Sequence, residues 1–591
     1  MGEAQADAFL GVAHSASGRR WRARSNDDRL ALALAQRLGV PEVIGRVLAG
    51  RGVALDAADG FLNPKLRDLL PDPSSLLDMD RASARLVRAI AGGELCAVFG
   101  DYDVDGATAS ALLKRFFDAV GGRLRIYIPD RLREGYGPNT PALLRLQAEG
   151  VRLVVTVDCG TQAHAPLAAA AAAGLDCIVV DHHLAEPALP TAVAVVNPNR
   201  LDESGQQRQL AAVGVAFLLL VAVNRGLRQA GWYAGRREPD LLEWLDLVAL
   251  GTVCDVVPLT GVNRALVAQG LKVMARRGNP GLAALADVAG LSEPPGCYHA
   301  GFLLGPRVNA GGRVGKADLG ARLLTTADPN EAAELARELD RLNGERRVIE
   351  AEVQAAAMAA SAQTGSGDSL VMAVGNGWHP GVIGIVASRL KEHFRRPALV
   401  IALEQGIGKG SGRSLPGIDL GAAVTAARQA GLLINGGGHA MAAGLTVAED
   451  QIDALRRFLA ERLRPAAAGL GDGATLGLDG ALAVSGATPG LLDLLEQAGP
   501  YGAGNAEPRF VVTGARVVQA SVVGEQHVRC ILAGPDGSRL KAIAFRALEN
   551  GVGDALLHAQ GTALHAAGAL RADNWRGERR VQLVIEDVAK A

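Results

Sequence analysis

Val98-Phe99-Gly100-Asp101-Tyr102-Asp103-Val104-Asp105-Gly106 runs an apolar strand straight into three aspartates on alternate positions and then into glycine. If the backbone stays extended, alternation at period two sends every second side chain the same way. Asp101, Asp103 and Asp105 then crowd their carboxylates into one small region. Like charges that close repel, and each pKa rises unless cations are present. Divalent metal held by oxygen ligands, magnesium or manganese rather than zinc, resolves the repulsion. A solvated acidic turn is the competing reading, and the rest of the chain decides between them.

Upstream, Asp80 to Ala91 reads as a helix feeding the strand Leu95 to Gly100. Downstream, Ala107 to Val120 reads as a helix, with Gly106 letting the chain turn sharply into it; Leu124 to Ile128 follows as a strand and Thr140 to Glu149 as a helix. The pattern then repeats. Leu153 to Asp158 is a strand ending in an acid, His164 to Ala173 an alanine-rich helix, and Cys177 to His183 a strand ending in Asp-His-His. Continuous β-branched runs bounded by helices predict a parallel sheet buried on both faces. In such sheets the ligand crevice lies outside the carboxyl ends of the strands, which places Asp101 to Asp105, Asp158 and Asp181 to His183 along one edge. A fourth acid, Asp255, interrupts the apolar segment Leu250 to Pro258. A buried unpaired carboxylate is expensive, so Asp255 requires an arginine or a metal. Each acid alone could be a cap or turn residue; together with the His182-His183 pair they point to a metal centre.

The segment from Leu201 to Leu250 is mostly helical in pattern. Gly305 to Arg313 packs two arginines and three glycines into what reads as one loop, either a phosphate grip or a turn with solvated arginines. Asp328-Pro329 forms an N-cap with Pro at the first helical position and opens a helix to about Gln363, a domain connector roughly 50 Å long. A second α/β pattern begins with the strand Ser369 to Val374. It continues through a glycine-rich turn around Trp378 into a helix ending near His393, the strand Pro397 to Leu403, and glycine loops at Gly410 to Ser414 and Asn435 to Ala440. Flexible turns explain such loops, and so does a second polyanion-binding wall facing the first. After Pro500 to Asn505 come five or six short strands, which fit an oligonucleotide-binding type barrel or a plain β-sandwich.

Composition sets the frame. At 591 residues the chain calls for roughly three or four domains, and 49% hydrophobic with 21% charged residues describes an ordinary globular protein. The readings divide it into a helical lead-in at 1–80, with helices at Asp27 to Leu38 and Pro41 to Leu48; a parallel-sheet domain at 81–327; the connector at 328–364; a second α/β domain at 365–465; and a β-domain at 466–591. No apolar run approaches the ~20 residues of a membrane span, and Met1 to Arg24 lacks an apolar signal core. The six cysteines show no CxxC spacing and read as small hydrophobes of a reducing cytoplasm. A net charge of −1 excludes a global positive field, so a polyanion must be held by local arginines and metal.

These motifs resemble the DHH phosphoesterase superfamily and, within it, the bacterial RecJ exonuclease family. Gly100 to Gly106, Val157-Asp158-Cys159-Gly160, Asp181-His182-His183 and Gly251 to Asp255 are similar to its four catalytic motifs. Asn435 to Ala440 resembles the signature of the associated DHHA1 domain. Cys254 stands where many relatives carry alanine. The resemblance implies a DHH and a DHHA1 domain joined by the long helix, plus an OB-like barrel. It implies a two-metal Mn2+ or Mg2+ nuclease that removes mononucleotides from the 5′ end of single-stranded DNA in repair and recombination. Asp103 and Asp105 would then bind different metals, Asp158 would bridge them, and His182, Asp255 and Asp101 would complete the ligands. His183 would contact the scissile phosphate and Asp181 would orient an imidazole. Arg307, Asn309, Arg313, Ser411, Arg413, Ser414, Gly437 and His439 would hold phosphates. Trp378 would stack or pack, and Trp575, among Arg571, Arg576, Arg579 and Arg580, would be a stacking platform or an ordinary surface residue. Single-strand-binding protein and a helicase are the protein partners implied, with a monomeric, cytoplasmic, non-membrane enzyme. A catalytically silent DNA-binding scaffold and a hydrolase of small substrates are the competing classes; intact acids argue against the first and the terminal barrel against the second.

Overall fold

The computed structural model describes residues 8–131, 133–362, 368–468, 474–559, 561–573 and 579–591. They fold as two compact units, one formed by Met1–Leu70, Val256–Ala268 and Asp472–Ala591, the other by Pro71–Asp255 and Gln269–Gly471. The first unit opens with β1 (Arg20–Ala23) and the helices Asp28–Leu38 and Glu42–Ala49. Asp27 caps the first helix by accepting from Leu30 N.

In the second unit, β2 (Leu95–Gly100), β3 (Arg123–Tyr127), β4 (Leu153–Val157), β5 (Asp176–Val180) and β6 (Ala194–Val196) build an all-parallel sheet in the order β3-β2-β4-β5-β6. Every residue of β4 is buried, as its unbroken apolar run predicts. β6 is too short for its periodicity to be read. The register aligns the strand ends: Gly100 pairs with Val157, Val157 with Val180 and Val180 with Val196. Asp101, Asp158, Asp181 and Asn197 therefore stand in one row, each a residue past its strand. The helix Ala212–Gln229 has the length and composition of a membrane span but is mostly buried inside this unit.

The opening stretch is not extended through its acids. A helix begins at Val104 rather than Ala107 and runs to Val120 because Asp103 caps it, its Oδ1 accepting from Asp105 N at 2.9 Å and Gly106 N at 3.1 Å. Gly106 serves close approach rather than a turn: a Cβ there would fall 2.4 Å from Asp101 O. Gly305 to Arg313 is likewise a helix, Gly305–Val314, not a loop. Its glycines admit neighbours, since a Cβ on Gly305 would meet Cys254 Sγ at 2.4 Å and one on Gly312 would meet Tyr102 Cβ at 3.0 Å.

The connector helix Pro329–Ser361 is a single 33-residue element capped by Asp328. Beyond it β7 (Val371–Asn376), β8 (Ala398–Glu404), β9 (Ile407–Arg413), β10 (Asn435–His439) and β11 (Ala442–Ala448) form a mixed sheet in the order β10-β11-β9-β8-β7, with only β7 and β8 parallel. Two expected glycine loops are thus strands β9 and β10. Bare backbone is needed there because Leu445 and Leu420 press within 2.6 Å of where Cβ atoms would stand on Gly410 and Gly412.

The first unit resumes with β12 (Thr475–Leu478), paired parallel to β1, and β13 (Gly480–Leu482). Then β14 (Phe510–Val523), β15 (His527–Ala533), β16 (Arg539–Ala544), β17 (Ala563–Asp573) and β18 (Arg580–Lys590) close a five-stranded barrel through the β14–β17 pairing. A barrel, not a sandwich, is what the short strands build. Leu34, Ile44 and Leu48 of the N-terminal helices share one core with Leu492, Phe510, Leu532 and Leu583.

Candidate metal centre

Backbone bonds Asp101 N to Val157 O, Asp158 N to Val180 O and Asp181 N to Val196 O tie the row of acids across the sheet edge. Asp158 leaves β4 in the left-handed region, φ 59°, a strained conformation for a non-glycine residue of the sort that gathers at functional sites. Asp105, in the first helical turn, reaches the opposite way and accepts from Ala212 N at 2.7 Å and Val213 N at 2.9 Å, capping the helix Ala212–Gln229. Asp255 ends the helix Leu245–Cys254. That helix can approach because Gly251 has no side chain; a Cβ would stand 2.3 Å from Thr108 Oγ1 and 3.1 Å from Asp105 Oδ1.

His182 sits between these acids, its Nε2 3.3 Å from Asp158 Oδ1, 3.5 Å from Asp255 Oδ2 and 3.9 Å from Asp105 Oδ2. Ligand atoms gather as Asp105, His182 and Asp255; as Asp158, His182 and His183; and as Asp101, Asp103 and Asp158. Burial first, then Asp103, pushes Asp105 up to about 7; burial and the neighbouring carboxylates push Asp255 up to about 9 and hold Asp101 and Asp158 well above the ordinary carboxylate range. Burial and then His183 push His182 down to about 4, so it is a neutral imidazole. Asp101 Oδ1, His182 Nε2 and Asp255 Oδ2 are buried with no hydrogen-bond partner among the described residues. Repelling oxygens around an unpartnered neutral imidazole fit a divalent cation site.

Asp181 differs. Its Oδ1 accepts from His182 N, His183 N and His183 Nδ1 at 2.8, 3.2 and 2.7 Å, and its Oδ2 accepts from Thr161 N at 3.0 Å. Burial alone would raise this acid, but the hydrogen bond and charge of His183 hold it low. Against its own burial, His183 is raised to about 9 by the hydrogen bond and charge of Asp181. The imidazole that Asp181 orients is therefore that of His183, and His439 at the end of β10 stacks on it at 6.1 Å.

The expected phosphate contacts divide. Arg313 donates to Gly381 O at 3.0 Å; Arg413 donates to Ser411 Oγ at 3.2 Å and Gly412 O at 2.8 Å. Both guanidiniums are lowered by burial and then by Arg131, Arg313 to about 10. Asn309 is half-buried on the Arg313 helix, and the space over Gly437 is open. Two of the expected residues have other partners. Arg307 is engaged with Asp340 at 2.9 Å and Leu303 O at 2.7 Å, because its face of the helix meets the connector. Ser414 is buried and donates to Ile418 O at 2.8 Å, closing the turn after β9. Trp378 packs against Gly375 and the core of its sheet. Trp575 and Arg576 lie outside the described residues, while Arg571 pairs with Glu507 and Arg579 with Asp493 and Glu496. The six cysteines are free thiols.

Sequence reasoning missed Arg131, whose guanidinium lies 4.7 Å over the Tyr102 ring. Its signal was available, since it follows β3 on the same sheet edge. It also missed Tyr136, which donates to Asp158 O at 2.9 Å, and Asn197 and Asn199, which donate to His183 O and His182 O at 2.8 and 2.5 Å.

Family models agree with this layout: the DHH family N-terminal domain matches residues 96–252, the DHHA1 domain 367–464 and the RecJ OB domain 478–587. The single-stranded-DNA-specific exonuclease RecJ of Dickeya dadantii is 39% identical over 564 residues, covering 93% of this chain and 96% of that protein. The chain belongs to the RecJ family. RecJ of Escherichia coli is 36% identical over 571 residues, with 93% and 96% covered. The crystal structure of RecJ in complex with Mn2+ from Thermus thermophilus matches with a TM-score of 0.80 at 32% identity, over 95% of this chain and 78% of that one.

Proposed function

We propose that this chain is a manganese- or magnesium-dependent exonuclease that degrades single-stranded DNA from the 5′ end to mononucleotides, acting in DNA repair and recombination. The row of buried, mutually repelling acids around the unpartnered Nε2 of His182 carries the reading. Asp101 and Asp103 would hold one cation and Asp105, His182 and Asp255 the other; Asp158, grouped with Asp101 and Asp103 and 3.3 Å from His182 Nε2, would bridge them. Oxygen donors with one imidazole suit Mn2+ and Mg2+, the ions bound in the Thermus thermophilus RecJ structures. When bound, such a pair activates water and stabilises the attacking and leaving oxygens.

The chain's own residues do the rest. Asp181 keeps Nδ1 of His183 toward itself, which leaves Nε2–H to donate to a phosphate oxygen, and His439 supports the ring from behind. Arg131, Arg313 and Arg413 have no carboxylate within 4 Å among the described residues; Asn309, Ser411 and Gly437 complete the phosphate contacts. A terminal phosphate carries more charge than an internal diester, so that cluster suits a strand end that bears a phosphate; the 5′ polarity comes from the family resemblance. The C-terminal barrel is of a type that tracks single strands. Free thiols suit a reducing cytoplasm. A monomer that meets single-strand-binding protein and a helicase follows from family resemblance alone.

The test is to incubate the protein with manganese and single strands labelled at either end, beside an Asp158→Ala variant. Mononucleotides released from the 5′ end by the wild type and none by the variant are expected. Release from the 3′ end overturns the polarity, and equal activity in the variant overturns the bridging role.

A further inference from the structure

The helix that carries Arg313 is preceded, without a break, by a six-residue π turn, His299–Leu304. Such turns are rare and concentrate at functional sites. One face of it is anchored on the helix that ends at Asp255. Cys254 Sγ lies 3.4 Å from Ala300 O, and a Cβ on Gly301 would stand 3.5 Å from Val253 Cγ1. The other face presents Tyr298 and Phe302, 57% and 71% exposed, with their rings stacked at 5.3 Å and 24°. In a chain with only 4% aromatic residues, two large rings displayed together on a turn packed against the helix that ends at Asp255 call for a partner surface.

The stripe they begin identifies it. Steps of four, three and four residues lead from Phe302 to Pro306, Asn309 and Arg313, the spacing of one helix face. Exposure falls along the stripe from Phe302 to the half-buried Arg313. At its far end Gly312 abuts Tyr102, between Asp101 and Asp103. Eleven residues at ~1.5 Å each make the stripe roughly 16 Å long. It joins a flat apolar surface to an amide and then to a guanidinium one residue from Gly312, which abuts Tyr102. That order of groups suits a base followed by backbone phosphates, and it does not suit a folded protein partner.

We infer that Tyr298 and Phe302 form a base-stacking platform on which a nucleobase of the incoming single strand rests while its backbone follows Asn309 and Arg313 to the metal centre. The inference rests on the nuclease reading above and adds residues that position its substrate. Aromatic platforms grip any base, because every base has a π-face, so the platform holds the strand without selecting sequence.

The test compares wild type, a Tyr298→Ala/Phe302→Ala double variant and Phe302→Trp, all manganese-loaded, on single strands carrying one abasic site moved a nucleotide at a time from the 5′ end. The double variant is expected to raise KM about tenfold on intact strands, and Phe302→Trp to keep the wild-type KM. One abasic position should raise the wild-type KM to that of the double variant while leaving the latter unchanged. An unchanged KM in the double variant beside an active wild type, or a loss equal at every abasic position, overturns the platform. Failure of the wild type to degrade any strand overturns the nuclease reading instead.

Discussion

Asp479 and Asp158 are both nearly inaccessible, 5% and 3% exposed, yet their surroundings are opposite. Asp479, in the unit that holds the barrel, pairs with Arg51 and with Arg24 at 3.3 Å and accepts from Arg509 N at 2.9 Å. Asp587 nearby accepts from Trp21 Nε1 at 3.0 Å and lies 3.5 Å from Arg19. Asp158 instead faces Asp101, Asp103, Asp105 and Asp255, with a neutral imidazole as its nearest partner. A buried carboxylate that is fully paired holds a fold together. One that is surrounded by its own kind destabilises the metal-free fold and stores that energy for a cation.

The contrast can be broken in five ways. Asp158→Asn retains shape and tolerates the left-handed backbone, so the folded state is expected to persist while strand degradation falls at least ~100-fold, read by single-turnover hydrolysis. Asp479→Asn should do the reverse. Leaving Arg51 buried without its partner is expected to cost about 3–5 kcal/mol in urea unfolding, with activity per folded molecule retained. Manganese at ~100 times its dissociation constant should stabilise the wild type by about 2.7 kcal/mol, and the gain should be absent in Asp158→Asn; equal gains would place the cation elsewhere.

The smallest effect has the most telling sign. In chelator, Asp255→Asn is expected to raise stability by at least about 1 kcal/mol at neutral pH, opposite to Asp479→Asn, because the metal-free fold must hold Asp255 protonated while the unfolded chain gains by ionising it, and an amide escapes that cost. The same logic sets the pH dependence. Asp255 near 9 and Asp105 near 7 bind protons in the folded metal-free protein that the unfolded chain releases near 4. Stability of the metal-free form therefore declines as pH rises from about 4 toward 9. Thermal melts across that range should show the decline with chelator and lose it with manganese.

Much of the site could be read from local pattern. Apolar runs mark strands, and an acid after each run falls on the carboxyl edge of a parallel sheet, which grouped Asp101, Asp158 and Asp181 before any coordinates. The glycine segments could not be read that way. A missing side chain is compatible with turn, strand or helix, and what settles it at Gly312, Gly410 and Gly412 is Tyr102, Leu445 and Leu420, remote in sequence. Arg307 and Arg313 share a helix, yet one meets Asp340 of the connector and the other Gly381; helix phase and partner separate them, not residue type.

Residue order alone determined the fold class, the acid-bearing strand ends and the metal chemistry, because strand signals and the charges that follow them are local. Asp158 and Asp181 are indistinguishable at that level, each an acid after a run of apolar residues. Only tertiary structure decided that Asp181 is satisfied by Thr161 N and the His182–His183 backbone and ring, while Asp158 is left among other carboxylates. The reason is physical: whether a buried polar atom is paired depends on which groups the packing brings within about 3 Å, and those groups come from anywhere in the chain.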